Sequence, residues 1–241
     1  MRIALLSDIH GNLVALEAVL ADLAQTSPDS VICLGDVAVT GPQPRQVIAR
    51  LRQLAWPIVM GNTDAWLLDP QPWNAEDEES RRLLAIEEWS ALQMEMGDLE
   101  FIRSFQPLVK WTLAAGHNLL CYHGSPRSNT DLITSATGEE ELREMLAGHS
   151  AAILAGGHSH RQMLRRFQNS LIINPGSVGL PFEIVDGQAR NPLWAEYALI
   201  TSHGEQLAVE FRRVPVDFAA LSDAIQNANM PYARWWREYW R

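Results

Sequence analysis

Residues 2–12, RIALLSDIHGN, carry the pattern that decides the fold, an apolar run followed at once by polar residues. The run at residues 2–7 is short and continuous, as in parallel strands that are buried on both faces of a sheet. Leucines then recur at steps of three and four residues from Leu13 to Leu23, which indicates an amphipathic helix. The chain therefore begins with a strand, a polar loop and a helix.

Further strands and helices continue this alternation. Apolar runs at residues 31–34 and 58–60 flank a second helical pattern that starts at Pro44, a residue type favoured in the first helical turn. Alternating strands and helices are typical of βαβ units and a parallel sheet. Later runs predict strands at residues 108–114, 118–122, 151–155, 170–173, 194–201 and 206–214. Because no helix separates the last three strands, we expect a second sheet that packs on the first.

Three helical segments accompany these strands. Residues 65–104 form a helical insert, in which a Pro/Trp loop precedes an acidic amphipathic helix. A capping box at Thr137 and Glu140 predicts a helix that ends at about residue 147. An aromatic helix extends over about residues 217–241, and we favour its packing on the chain's own sheet over a homo-oligomer interface. No linker interrupts the chain, so residues 1–241 are interpreted as a single domain.

Composition and charge exclude several classes of protein. The net charge is −10 and lysine and arginine form no block, so duplex nucleic acid is not an expected partner. No apolar run reaches the roughly 18 residues of a membrane span, and the N-terminal run is too short for a secretion signal. We therefore expect a cytoplasmic protein without membrane contact. Cys33 and Cys121 lie in apolar runs and are expected to be core residues, not a disulfide.

Polar clusters follow five of the predicted strands. The carboxyl ends of parallel strands lie side by side, at the edge where open α/β sheets bind ligands. Imidazole and carboxylate groups without a thiolate suit divalent Mn, Fe, Ni, Co or Zn. Seven such ligands are too many for one tetrahedral ion and match two ions that share a carboxylate and bind phosphate oxygens. The candidate ligands are Asp8, His10, Asp36, Asn62, His123, His158 and His160.

The order of these motifs resembles that of the calcineurin-like metallophosphoesterases. The resemblance covers residues 1 to about 180, and the phrases SDIHGN, HGSPR and NPGSVGLP are most similar to the small bacterial and archaeal phosphodiesterase branch. It implies an α/β fold, a four-layer αββα sandwich with two mixed β-sheets. The motifs are Asp8-x-His10, Gly35-Asp36, Gly61-Asn62-x-Asp64, His123-Gly124 and Gly157-His158-x-His160.

The same resemblance implies a function, a dinuclear metal-dependent phosphoesterase. Such an enzyme hydrolyses a phosphodiester or a related small phosphorylated substrate by means of a metal-bridging hydroxide, and manganese is one candidate metal. The alternatives are a phosphomonoesterase or protein phosphatase, and a non-catalytic scaffold of the same fold. The catalytic residues implied are Asp36, Asn62 and His123. By resemblance, Asp8, His10 and His160 bind the first metal, Asp36 bridges, and Asn62, His123 and His158 complete the second.

Position 63 departs from the family pattern. Thr63 stands where many members carry a histidine that protonates the leaving group. A threonine hydroxyl is not an acid near neutral pH, so substrates with poor leaving groups are disfavoured. The neighbouring Asp64 has two open interpretations, a carboxylate that orients His10 or His123, or a helix cap.

Five other residues have weaker expectations. We interpret Arg127 as solvent-exposed in preference to phosphate-binding. Asn174 and Ser177 are expected to shape a tight turn beside the metals. We interpret Trp66 and Trp73 as packing residues in preference to surfaces for base stacking.

Overall fold

The computed structural model describes residues 1–71, 73–113 and 116–240. Its strands are β1 Arg2–Leu6, β2 Ser30–Cys33, β3 Val109–Thr112, β4 Asn118–Cys121, β5 Ile153–Ala155, β6 Met163–Phe167, β7 Ser170–Asn174, β8 Glu183–Val185, β9 Gln188–Arg190, β10 Trp194–His203 and β11 Gln206–Pro215. Its helices are α1 Leu13–Thr26, α2 Pro44–Leu54, α3 Asn62–Leu68, α4 Glu78–Gln93, α5 Met96–Arg103, α6 Glu139–Met145, α7 Phe218–Asn227 and α8 Ala233–Glu238.

Two mixed sheets lie at the centre of the molecule. The first has the strand order β11–β10–β1–β2, and the second has the order β3–β4–β5–β7–β6. The pairs β1–β2, β4–β5 and β5–β7 are parallel. The pairs β1–β10, β10–β11, β3–β4 and β6–β7 are antiparallel. The carboxyl ends of the parallel strands are where the polar loops begin.

The burial pattern defines four layers. Successive side chains of a strand point to opposite faces, so Ala4 and Leu6 pack against α1 and α2 in one buried cluster. Ile3 and Leu5 pack between the sheets, together with Ile153 of β5. On its outer face the second sheet packs against α6 in a third buried cluster. The expected αββα sandwich with two mixed sheets is therefore confirmed.

Two strand predictions are wrong. Residues 58–60 form isolated bridges, Cys33 to Ile58 and Val59 to Gln106, in place of a strand. The expectation that the last three predicted strands belong to the second sheet holds only for β7. β10 and β11 join the first sheet, because β10 pairs antiparallel with β1 in the register Leu5 to Ala198.

Local signals were misleading or weak at other elements. The predicted capping box is wrong, because the hydroxyl of Thr137 accepts the Thr134 N–H at 2.9 Å and α6 begins after Gly138. β6 was missed because its half-exposed strand carries charged side chains, and β8 and β9 were missed because each is only three residues long. Residue 114 of the predicted strand 108–114, residue 72 of the insert and residue 241 of the C-terminal helix lie outside the described residues.

The C-terminal segment forms two helices where one was expected. Asn229 and Tyr232, both with φ of 54°, separate α7 from α8. Trp236 and Trp240 are 3% exposed and belong to the same buried cluster as α1 and α2, so they pack on their own chain as favoured. A homo-oligomer interface and the single-domain interpretation of residues 1–241 stay predictions.

Both cysteines are buried and free, as expected for core residues. Across the described residues, every helix falls short of the length and hydrophobicity that crossing a bilayer requires.

Candidate metal centre

The candidate ligands lie on sharply turning loops at the strand ends. Left-handed backbone is uncommon for residues other than glycine and concentrates at functional sites, because its energetic cost must be offset by the surrounding structure. Asp8 and His10 follow β1, Asp36 follows β2, and His158 and His160 follow β5. All five have positive φ, with values of 56°, 47°, 55°, 64° and 55° respectively.

Asp8, His10 and His160 form one group, here called the first ligand group. Nε2 of His10 lies 3.0 Å from Nε2 of His160. Oδ1 of Asp8 lies 3.4 Å from Nε2 of His160 and 3.9 Å from Nε2 of His10. The three ligand atoms lie within 4.8 Å of one another, a spacing that one ion could serve.

Asp36, His123 and His158 form the second ligand group, whose ligand atoms also lie within 4.8 Å of one another. Oδ2 of Asp36 lies 3.3 Å from Nε2 of His123. Nε2 of His123 also lies 3.0 Å from Oδ1 of Asn62. Oδ2 of Asp36 is 3.9 Å from Nε2 of His10 in the first group, so this carboxylate lies between the two groups. The structure thus brings all seven predicted ligands together.

Backbone carbonyls set the tautomer of three imidazoles. Nδ1 lies 3.0 Å from the Val39 carbonyl in His10, 2.8 Å from the Leu34 carbonyl in His123, and 2.8 Å from the Leu180 carbonyl in His160. A carbonyl oxygen only accepts hydrogen bonds, so Nδ1 carries the proton and the neutral ring presents the Nε2 lone pair to the site. Histidines that ligate metals are usually oriented by such a second contact.

The donor set fits divalent metal ions. Within the described part of the chain, Oδ1 of Asp8 is buried and has no hydrogen-bond partner, a costly arrangement unless a cation lies beside it. Nε2 of His10 and Nε2 of His160 face each other, and both Nδ1 atoms carry the proton. In neutral rings the two Nε2 lone pairs would therefore repel each other unless a cation lies between them. Mixed imidazole and carboxylate donors suit borderline divalent ions. These residues therefore have the chemistry of a metal site.

The electrostatics of the protein alone show how strongly these groups interact. Burial disfavours the imidazolium of His123, yet the carboxylates of Asp36 and Asp8 outweigh burial and raise its pKa to about 10. Burial and the neighbouring His160 lower the pKa of His10 to about 4. Burial disfavours the Asp36 carboxylate, but His123 and His10 hold its pKa below the usual range. The buried carboxylates of Asp36 and Asp8 therefore favour positive charge beside them.

Asp64 positions the loop that carries Asp36. Its carboxylate is fully buried and accepts N–H groups from Asp36 at 2.8 Å, Val37 at 3.0 Å and Gly61 at 3.0 Å. The interpretation that Asp64 orients His10 or His123 is wrong, because carbonyls hold both rings. The helix-cap interpretation is confirmed, since Asp64, the third residue of α3, accepts the backbone N–H of Gly61, the N-cap of that helix. Burial, together with the charge of Asp36, raises the pKa of Asp64 to about 7.

Close packing at Gly61 explains the glycine before Asn62. A Cβ atom at Gly61 would lie 2.0 Å from Oδ1 of Asp36, which no side chain permits. The backbone N–H of Thr63 donates a hydrogen bond to this same Oδ1 of Asp36 at 2.9 Å. Among the described residues, the buried hydroxyl oxygen of Thr63 has no hydrogen-bond partner. Residues of α3 therefore hold both the side chain of Asp36, through Thr63, and its backbone N–H, through Asp64.

The weaker expectations have mixed outcomes. Arg127 pairs with Asp131 at 2.7 Å and its side chain is 47% exposed, which agrees with the solvent-exposed interpretation. Ser177 donates to the Asp8 carbonyl at 2.7 Å, and the Asn174 amide donates to the Gly157 carbonyl. Both residues therefore fasten the turn after β7 to a ligand loop, as a turn beside the site requires.

The two tryptophans of the insert differ. Trp66 packs against the main buried cluster, and its indole N–H donates to the Gln71 carbonyl at 2.8 Å. Trp73 is 36% exposed and donates to Glu87 at 2.8 Å. The packing interpretation therefore holds for Trp66.

Sequence reasoning missed two kinds of contributor. The carbonyls of Leu34, Val39 and Leu180 orient the imidazoles, but backbone atoms have no residue-type signal. Phe182, whose ring centroid lies 6.3 Å from that of His160, directly follows the phrase NPGSVGLP but was not itself singled out.

The comparisons with known proteins agree with the fold. The model of the calcineurin-like phosphoesterase superfamily domain matches residues 1–201, so the chain belongs to that superfamily. An uncharacterized protein of Methanocaldococcus jannaschii is 24% identical over 242 residues, covering 95% of this chain and 93% of the relative.

Solved structures resemble the whole chain. A metallophosphoesterase from Sphaerobacter thermophilus is 25% identical with a TM-score of 0.75, covering 99% of this chain and 97% of its own. A protein of Pyrococcus horikoshii OT3 is 19% identical with a TM-score of 0.80, covering 96% and 94%. The second likeness concerns the fold alone.

Proposed function

We propose that this protein is a dinuclear metal-dependent enzyme that hydrolyses a phosphodiester or a related small phosphorylated substrate in the cytoplasm. The observation that carries the proposal is the pair of adjoining ligand groups, with Asp36 between them. Membership of the calcineurin-like phosphoesterase superfamily supports it. So does the presence of all seven ligands, since a non-catalytic scaffold need not keep them.

The two ligand groups account for how an acidic protein attracts phosphate. Two divalent ions, with manganese among the candidates, would exceed the negative charge of Asp8 and Asp36, polarise a phosphate group and lower the pKa of coordinated water. The chain's own residues orient the ligands: Leu34, Val39 and Leu180 hold the imidazoles, and Asp64 holds the Asp36 loop. A net charge of −10 therefore does not oppose local binding of phosphate.

The presence of Thr63 favours diesters with good leaving groups over alkyl monoesters as substrates. Its hydroxyl cannot protonate an alkoxide near neutral pH, and general-acid help is typically worth about 10² to 10⁴ in rate. An aryl leaving group needs no such proton. We therefore place phosphodiesterase activity ahead of phosphomonoesterase activity.

The test measures metal content and turnover together. Protein purified without chelator is analysed for bound metals by mass spectrometry and assayed on bis(p-nitrophenyl) phosphate. Asp36→Asn should lose bound metal and at least about 100-fold in kcat, while its circular dichroism stays that of the wild type. Asp217→Asn is the matched control, because Asp217 is exposed at the N-cap of α7 and Asn caps helices equally well.

The outcomes separate the parts of this proposal. Two metals and wild-type turnover in Asp36→Asn would contradict the bridging role assigned to Asp36. Wild-type protein with two metals but without hydrolysis of any phosphate ester would contradict the enzymatic one.

A further inference from the structure

An apolar cavity of about 200 Å³ adjoins the first ligand group at His160. Apart from Thr40 and His160, its walls come from three parts of the chain outside the ligand loops. Leu83 belongs to α4, Leu180 and Phe182 precede β8, and Trp235 belongs to α8, where Tyr239 immediately follows. The cavity is thus assembled from the insert, the β8–β9 region and the C-terminal segment.

The cavity is lined by His160 of the first ligand group and by aromatic side chains. The ring of Phe182 lies 6.3 Å from that of His160, between centroids. Trp235 and Tyr239 meet edge to face, with their centroids 5.1 Å apart. The guanidinium of Arg161 covers the ring of Phe182 at 4.6 Å. Aromatic side chains in a cavity wall can contact a further ring favourably in an offset-stacked or edge-to-face arrangement.

The size of the cavity limits what it holds. Sites for whole drug-sized ligands measure about 300–1,000 Å³, so this cavity by itself accommodates one ring system. It shares Glu79, Ala189, Trp235 and Tyr239 with a neighbouring cavity of about 590 Å³. Trp235 and Tyr239 lie beyond residues 1–201, the range that the superfamily model matches. The cavity therefore includes residues that lie outside the matched superfamily domain.

We propose that this cavity binds an aromatic ring, aryl or nucleobase, on an ester group of the substrate while its phosphate lies at the two ligand groups. The inference rests on the proposed function and narrows its substrate class to aromatic esters of phosphate. Phe182 and Trp235 are the residues that determine this specificity.

Binding of two phosphonates tests the proposal without turnover. Metal-loaded protein is titrated by calorimetry with phenylphosphonate and with methylphosphonate, which present the same anionic head. Burial of the ring should make phenylphosphonate bind at least about tenfold more tightly. Phe182→Ala should reduce that ratio to about threefold or less with methylphosphonate affinity unchanged, and Phe182→Tyr should retain it.

Two further variants protect the test against misfolding and non-specific effects. Ile184→Ala is the matched control, because Ile184 is 52% exposed on β8 and does not line the cavity. Ala189→Phe should fill the cavity from an exposed position on β9 and abolish the preference for the phenyl group. It takes the place of Phe182→Ala in the test if that variant does not fold.

Failure of this inference differs from failure of the proposed function. Equal affinity for both phosphonates in the wild type, or an unchanged ratio in Phe182→Ala and Ala189→Phe, would overturn the aromatic subsite even if diesters are hydrolysed. A strong phenyl preference that the variants remove supports the subsite even if no ester is hydrolysed, a result that would overturn the proposed function alone.

Discussion

Asp64→Asn should lower the free energy of unfolding by about 1–3 kcal/mol and weaken metal binding at the second ligand group. Asp64 is fully buried and accepts three backbone N–H groups. Two of these donors, from Asp36 and Gly61, approach Oδ2, and the third, from Val37, approaches Oδ1. The substitution keeps the shape of the side chain and changes only its charge and one acceptor.

The magnitude follows from these three contacts. The single oxygen of Asn can take the place of Oδ2 and keep two donors, but its amide NH₂ then faces the N–H of Val37. Because the pKa of Asp64 is raised to about 7, this carboxyl group is partly neutral near neutral pH, so its contacts are not hydrogen bonds to a full charge. The loss therefore comes from the Val37 N–H, since a buried donor left without a partner costs about 1–3 kcal/mol. Because Asp36 N–H is one of the remaining donors, any shift of Asn also displaces the carboxylate of Asp36.

Urea denaturation of metal-free protein measures the stability change, and calorimetric titration with Mn²⁺ measures the affinity. Asp77→Asn is the matched control: Asp77 also accepts a helical N–H, from Ser80 at 2.7 Å, but it is exposed. Asp and Asn are equivalent N-caps, so the control should stay within about 0.5 kcal/mol of the wild type. An equally small effect of Asp64→Asn would refute the argument that the buried carboxylate holds the Asp36 loop.

Three further predictions concern other parts of the molecule. Thr63→His should raise turnover of alkyl phosphate monoesters relative to aryl diesters by about tenfold or more, measured as kcat/KM on matched substrates; equal turnover of both classes in the wild type would contradict the role given to position 63. Asp22→Asn should cost about 1.5–3 kcal/mol, since Asp22 accepts hydrogen bonds from Arg212. Because Arg212 lowers the pKa of Asp22 below 3.8 although burial opposes this, the stabilisation is present above that pH and is lost as the pH falls through the folded pKa. The free energy of unfolding, measured by denaturation at pH 2–7, should therefore depend less on pH in the acid range in Asp22→Asn. An unchanged pH dependence would exclude the Asp22–Arg212 pair as its cause. Trp73→Ala should change KM for diesters and leave metal content unchanged; an unaltered KM would assign Trp73 to packing with Glu87.

The strand ends show why the residues of the candidate metal centre could be predicted to lie together. A buried strand and the ligands that follow it occupy contiguous residues, as in β1 followed by Asp8 and His10. The parallel arrangement then brings the loops after β1, β2, β4 and β5 to neighbouring positions without further information. The same reasoning failed at residues 58–60, where an apolar run resembles a strand but forms only single bridges.

The role of Asp64 shows where local reasoning ended. Its position two residues after Asn62 fits either a helix cap or a carboxylate beside an imidazole, and both alternatives are compatible with the motif. Only the fold shows that Val39 and Leu34 carbonyls already occupy Nδ1 of His10 and His123. The carboxylate is therefore left to the backbone of Asp36.

The sequence by itself determined the fold class, the helices after β1 and β2, the free buried cysteines and the residues that could ligate metals, because each is encoded in residues adjacent along the chain. The tertiary structure alone decided that β10 pairs with β1, which residues orient the imidazoles, and that Phe182 and Trp235 wall a cavity beside His160. These features depend on contacts between segments far apart in sequence and on backbone atoms common to all residues. Neither periodicity nor spacing records such contacts, so only the folded arrangement reveals them.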